Sequence, residues 1–152
     1  IRLDMTEDIQ ARLKTQMRRA FFDSIEDRMQ KDPAKAIEWL VSLHGEVCDI
    51  FCAILPSKAG EVKERMDNDL FAQQMRAGAY GSEQLGPLIE YTWTLLRTAC
   101  APDMDEAVQK AYTEVAGALV PGAAFCQVVP LYLRLVHTQL DEIIRRIQDL
   151  HE

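Results

Sequence analysis

Apolar positions recur along this chain every third and fourth residue, and no stretch sustains the period-two alternation of a half-buried strand. The pattern predicts an all-α fold with six helices. The first runs from about Met5 to Gln30, with the row Ile9, Leu13, Met17, Phe21, Ile25 and Met29. A strict four-residue step drifts slowly around a helix, so burial of this row should pass from one neighbour to another. Asp4 and Glu7 have the spacing of a capping box for it. KDP at 31–33 is a stop and restart, with Asp32 as N-cap and Pro33 as first helical residue. Helix two covers about 33–55 on a wide apolar face of Ile37, Leu40, Val41, His44, Val47, Cys48, Phe51, Ile54 and Leu55. Pro56 ends it and Ser57 is placed to cap the next.

Helix three, about 58–77, carries the narrow row Val62, Met66, Leu70 with Phe71 and Met75 beside it, and Gly78 is its expected stop. The glycine-rich run AGAYGSEQLGP (77–87) reads as a loop. Helix four starts at Ser82, or near Gly86 if Pro87 is its first residue, and runs to Cys100 through Leu88, Ile89, Trp93, Leu95 and Leu96. Ala101-Pro102 terminates it. Asp103 and Glu106 have capping-box spacing for helix five, which turns Val108, Ala111, Tyr112, Val115 and Leu119 inward. Helix six spans about 121–150. Pro130 should kink it, because a proline removes one backbone bond. Its apolar row continues through Leu133, Val136, Leu140, Ile143, Ile147 and Leu150.

Length and composition fit one compact domain: 152 residues, 48% of them apolar. The formal net charge of −7 disfavours a general affinity for nucleic acid, whose phosphates need a basic surface. Residues 1–32 hold seven basic and seven acidic side chains, so all of the acidity lies after them. The four cysteines sit in helix-like apolar runs without a CxxC pair, which reads as reduced thiols in a cytosolic or nuclear compartment. Every apolar run is interrupted by charge before it reaches the length of a membrane span. The chain begins at Ile1 rather than Met, as a piece of a longer protein would.

Candidate chemistry is sparse. In LHGEVCDIFCAILP (43–56), His44, Cys48 and Cys52 follow at i, i+4 and i+8 on one helix face. Two ligands from adjacent turns can share an ion, but a third eight residues on reaches it poorly. The same spacing belongs to Val47, Phe51 and Leu55, so the stripe reads as core, with His44 at its edge. No basic residue lies within a turn of Cys48 or Cys52 to favour a thiolate. MDNDL (66–70) lacks the glycine and distal glutamate of a calcium loop. No metal, cofactor or catalytic residue is assigned.

One local positive patch stands out: Arg12, Lys14, Arg18 and Arg19 in QARLKTQMRR (10–19). An acidic protein partner or an anionic membrane surface would meet it, and a solvated, salt-bridged face is the commoner fate. Leu140, Ile143, Ile147 and Leu150 are a second candidate contact surface, on the far half of helix six.

Three blocks together resemble the T-complex protein 11 family. LLRTACAPDMDEAVQKAY (95–112) is similar to a family segment in which an apolar helix ends in Cys-Ala-Pro, followed by an acidic pair and Ala-Val-Gln; here these are Cys100, Ala101, Pro102, Asp105, Glu106, Ala107, Val108 and Gln109. MRRAFFDSIEDRM (17–29) is similar to the family's first helix. EVCDIFCAILP (46–56) with ERMDNDLFAQQ (64–74) is similar to its helix ending in Leu-Pro and the Asp-x-Asp-Leu helix after it. The resemblance spans most of 15–140 and implies the N-terminal part of a longer family domain. It also implies a non-enzymatic helical regulator or scaffold that binds other proteins in the cytoplasm, associated with cAMP-dependent kinase signalling and with sperm, flagellar or ciliary function. The alternatives are a metal- or small-ligand-binding helical regulator and an enzyme without a recognisable motif.

Overall fold

The computed structural model describes the backbone of residues 2–79, 81–120 and 123–150, and within it the side chains of 9–79, 81–120, 123–124 and 127–150. The described residues are all-α, in the order α1 (Arg2–Asp23), α2 (Ile25–Lys31), α3 (Pro33–Ile54), α4 (Ala59–Met66), α5 (Asn68–Arg76), α6 (Ser82–Ala99), α7 (Asp105–Ala118) and α8 (Phe125–Leu150). Short 3-10 turns at Pro56–Lys58 and Pro102–Met104 precede α4 and α7. The chain forms two compact units, 1–36 and 37–152.

In the first unit the single helix expected over 5–30 is two helices, with α1 already helical from Arg2, ahead of Asp4. Ser24 interrupts them. Its hydroxyl donates back to the Ala20 carbonyl at 2.8 Å and accepts from Arg28 Nε at 2.7 Å. Back-bonding of this kind competes with the helical ladder and bends it. Asp32 caps α3 as expected, its Oδ1 accepting from the Lys35 N–H at 3.2 Å.

The second unit packs α6, α7 and α8 together, with their apolar rows closed around Trp93 and Tyr132, both 0% exposed. Several buried polar groups there find partners, as desolvated donors usually do. Trp93 Nε1 donates to the Val108 carbonyl at 3.0 Å, and Thr92 Oγ1 and Tyr132 Oη lie 2.7 Å apart, joining α6 to α8. His137 Nε2 donates to the Leu43 carbonyl at 3.1 Å and ties α8 to α3.

Expected helix three is broken at Asp67, a non-glycine residue in the left-handed region (φ 34°). Its carboxylate caps the restart by accepting from the Leu70 N–H at 3.1 Å. The break also resets the helical phase. Val62 and Met66 face inward on α4, but on α5 the inward residues are Phe71, Ala72 and Met75, and Leu70 is 46% exposed. An unbroken helix would have buried Leu70 instead. Sequence spacing could not show this, because φ > 0 at an aspartate costs little and leaves no mark in the apolar pattern.

Other boundaries shift in similar ways. Ser57 lies inside the 3-10 turn and does not cap α4. Helix α6 starts at Ser82 with Pro87 inside it, and the Gly81 N–H is held by Gln84 Oε1 at 2.9 Å, so residues 82–87 of the expected loop are helical; Gly78 is left-handed (φ 69°). Asp103 caps nothing at α7; its carboxylate pairs with Arg146 Nη1 at 2.5 Å. The expected start of helix six at Pro121 lies outside the described residues; α8 begins at Phe125 and contains Pro130.

His44 is fully interior rather than at a stripe's edge. Its Nδ1 donates to Asn68 Oδ1 at 2.7 Å, and its ring stacks on Phe71 at 4.0 Å. Its Nε2 is buried with no hydrogen-bond partner among the described residues. Burial holds its pKa down, to about 4, against a smaller upward pull from Asn68. An unfolded histidine takes its proton near pH 6.5, so the folded state gives up stability as pH falls from about 6.5 to about 4. The full loss is roughly 3 kcal/mol. His44→Gln, which cannot charge, should lower the urea midpoint at pH 7 and flatten its fall between pH 6.5 and 4. A midpoint that falls as steeply in the variant as in the parent would show that His44 is not the titrating group.

Candidate functional site

The sequence pointed to two surfaces, and the structure treats them differently. On α1, Arg12, Lys14 and Arg19 are exposed and Arg18 is half-buried. The apolar row beside them does not pass into a neighbour as expected: Ile9, Leu13 and Met17 are 54%, 54% and 58% exposed, and burial begins only at Phe21. On α8, the candidate surface splits. Leu140 and Ile143 are core residues at 0% and 3% exposure, continuing the row Val129, Leu133, Val136, while Ile147 and Leu150 reach solvent. After Ile143 the apolar row of the helix is no longer covered. Leu140 and Ile143 are therefore removed from the candidate contact residues.

The far half of α8 is fixed by charge instead. Arg146 contacts both Glu142, at 2.9 Å, and Asp103 of the Cys-Ala-Pro-Asp turn, at 2.5 Å. Arg145 bridges Glu142 and Asp149. These two guanidiniums, Arg145 foremost, hold the Glu142 carboxyl down to about 2.

The buried Cys48 thiol is quiet. Burial, with Cys52 and Asp49 nearby, pushes Cys48 up to about 12, so it stays a thiol at neutral pH. Cys48 Sγ lies 4.0 Å from His44 Nδ1, whose hydrogen bond goes to Asn68. Among the described residues no group of three His, Cys, Asp or Glu side chains is placed to hold a metal ion.

One concave surface among the described residues was not legible in the sequence. It lies where α4 and α5 face α6 and has two adjoining hollows of about 300 and 380 Å³. Arg65, Pro87 and Tyr91 border both. The Arg65 guanidinium lies over the Tyr91 ring at 4.2 Å, within cation–π range. The Tyr91 hydroxyl donates to Glu61 Oε2 at 3.3 Å. Burial and then the Glu61 charge push the Tyr91 phenol up to about 12, so it remains a neutral donor.

The first hollow takes Leu70, Phe71 and Leu88 with the amides of Gln74 and Gln84. Phe71 and Leu70 are there because of the phase change at Asp67. Pro87 has no N–H to give the Glu83 carbonyl, and both residues line this hollow. The second takes Lys58, Glu61, Glu90, Thr94 and Thr98. Apolar floor, two glutamine amides and both signs of charge suit binding of an extended or helical peptide segment. No histidine or cysteine lines either hollow among the described residues. The only sequence trace of the cleft is the Asp-Asn-Asp-Leu run that places its rim; the Arg65–Tyr91 contact joins residues far apart in the chain.

A family model described as T-complex protein 11 matches residues 2–150. No curated protein and no solved structure matches the chain. Among the described residues, no single helix is long and apolar enough to cross a membrane.

The division of the α8 row makes a direct contrast. Leu140→Ala should cost about 2–5 kcal/mol in urea unfolding, the usual range for emptying a packed leucine site. Leu150→Ala, at 83% exposure, should stay within about 0.5 kcal/mol of the parent. Equal effects at the two positions would refute the assignment of Leu140 to the core.

Proposed function

The chain belongs to the T-complex protein 11 family, and from that premise we propose that it is a non-enzymatic protein-interaction module of a cytoplasmic regulator or scaffold. The observation that carries this reading is the open double hollow around Arg65 and Tyr91. It presents Leu70, an exposed apolar side chain, beside two glutamines and a guanidinium already oriented by an aromatic face. Orientation matters because a side chain fixed before binding loses less entropy when a partner arrives. The resemblance adds a setting: linkage to cAMP-dependent kinase signalling and to flagellar or ciliary function. An enzymatic reading has less support, since burial moves His44, Cys48 and Tyr91 away from neutrality rather than toward it.

Leu70→Asp with Arg65→Glu should remove proteins captured by the immobilised chain while leaving helical circular dichroism unchanged. Replacing Arg12, Lys14, Arg18 and Arg19 by glutamate should leave the same proteins bound. Capture that survives the first pair and is lost with the second set would move the protein-binding surface from the cleft to α1.

A further inference from the structure

Helix α1 carries a feature the cleft reading does not use. Around a helix of 3.6 residues per turn, Ile9, Ala20, Leu13 and Met17 fall within about 40° of one line. The three large side chains in that row are more than half exposed over roughly 12 Å of helix. Gln10 and Gln16 border it. Outside them, Arg12 and Arg19 sit on one flank and Lys14 and Arg18 on the other, roughly 100–140° from the row. Residues 9–22 contain four basic side chains and no acidic one.

We infer that α1 is a membrane-surface contact: its apolar row enters the interface of an anionic lipid leaflet, and the two basic flanks lie against the headgroups. The two-sided placement of charge favours this occupant. An anionic leaflet is negative along its whole plane and so complements both basic flanks at once, whereas a partner helix would need acidic residues on both sides of its own apolar stripe. Arginine and lysine reach such a surface by laying their methylene stems along the apolar boundary with the charged end among the headgroups. Arg12, Lys14 and Arg18 also engage groups of the protein itself, so the attraction rests on the net charge of the segment rather than on free cations. With only three large apolar residues, insertion alone is weak, and binding requires anionic lipid.

The test is co-sedimentation of the whole chain with extruded vesicles of phosphatidylcholine alone, or with about 30% phosphatidylserine. The chain should bind the anionic vesicles at least about tenfold more tightly, and salt should weaken it, as each basic side chain near such a surface adds about a factor of five. Arg12, Lys14, Arg18 and Arg19 changed together to glutamate should abolish binding. Lys14→Gln with Arg19→Gln, a milder change that keeps a good helix former at each site, should weaken it by roughly twentyfold. Met17→Trp should add a blue-shifted emission component on anionic vesicles only. No binding, equal binding to both vesicle types, or full binding by the glutamate variant overturns the inference. A captured acidic protein lost with the glutamate variant, in the absence of vesicle binding, gives α1 to a protein partner and overturns it as well.

Discussion

The hydrogen bond from His44 to Asn68, 2.7 Å long and closed off from solvent on the histidine side, is the contact on which the cleft depends. It fixes α3 to the first residue of α5, immediately after the left-handed Asp67. Gly45 is part of the same joint. A Cβ there would come within 3.0 Å of the Asn68 amide nitrogen, and that amide is already held by His44 and has little freedom to retreat. The joint therefore sets where α5 begins, and the aspartate sets how it is rotated. Phe71 turns in to stack on His44, and Leu70 turns out to the rim of the cleft. A buried polar pair contributes modestly to net stability, but the alternative, an imidazole with neither nitrogen satisfied, is costly. That asymmetry makes the pair a register device: other rotations of α5 would strand His44.

The same logic of local exceptions explains what could be read from the sequence. The apolar pattern held on α6, where Leu88, Ile89, Trp93, Leu95 and Leu96 are all buried, and in part on α7, where Val108, Ala111 and Val115 are buried but Tyr112 and Leu119 are only half-buried. Asp32 capped α3 where the KDP run placed it. Misreadings came where a side chain acts on the backbone or on a distant charge. Ser24 bonds back into its own helix, Asp67 takes a positive φ, and Asp103 answers Arg146 instead of a helix end. Spacing alone does not distinguish an aspartate that caps from one that pairs across 43 residues. The cleft was illegible for the same reason, since Arg65 and Tyr91 acquire meaning only when α4 and α6 are side by side.

Helix α8 shows how two kinds of force can share one element. Through Ile143 it is held by burial, and beyond Ile143 by ions. Arg146 is the hinge between the regimes, with one carboxylate on its own helix and one on the turn that resembles the family's Cys-Ala-Pro landmark. Exposed pairs of this kind are weak singly, and salt screens them. As a connected set they orient the last turns without burying more apolar surface, and Ile147 and Leu150 stay in solvent.

LHGEVCDIFCAILP concentrates the lesson. Its histidine and cysteines have the spacing of ligands and the environment of a core. The environment decides, because desolvation moves both groups away from chemistry: His44 resists its proton down to about pH 4 and Cys48 keeps its own up to about 12. A ligand histidine would need its second nitrogen anchored by a neighbour and its first aimed at an ion. Here Nδ1 is anchored by Asn68, but no cluster of donors faces Nε2 among the described residues. The polar atoms of the segment act on the fold, by setting the register of α5. Binding then falls to surfaces whose shape follows from that register, and to helix faces such as α1 whose apolar residues the protein leaves outside.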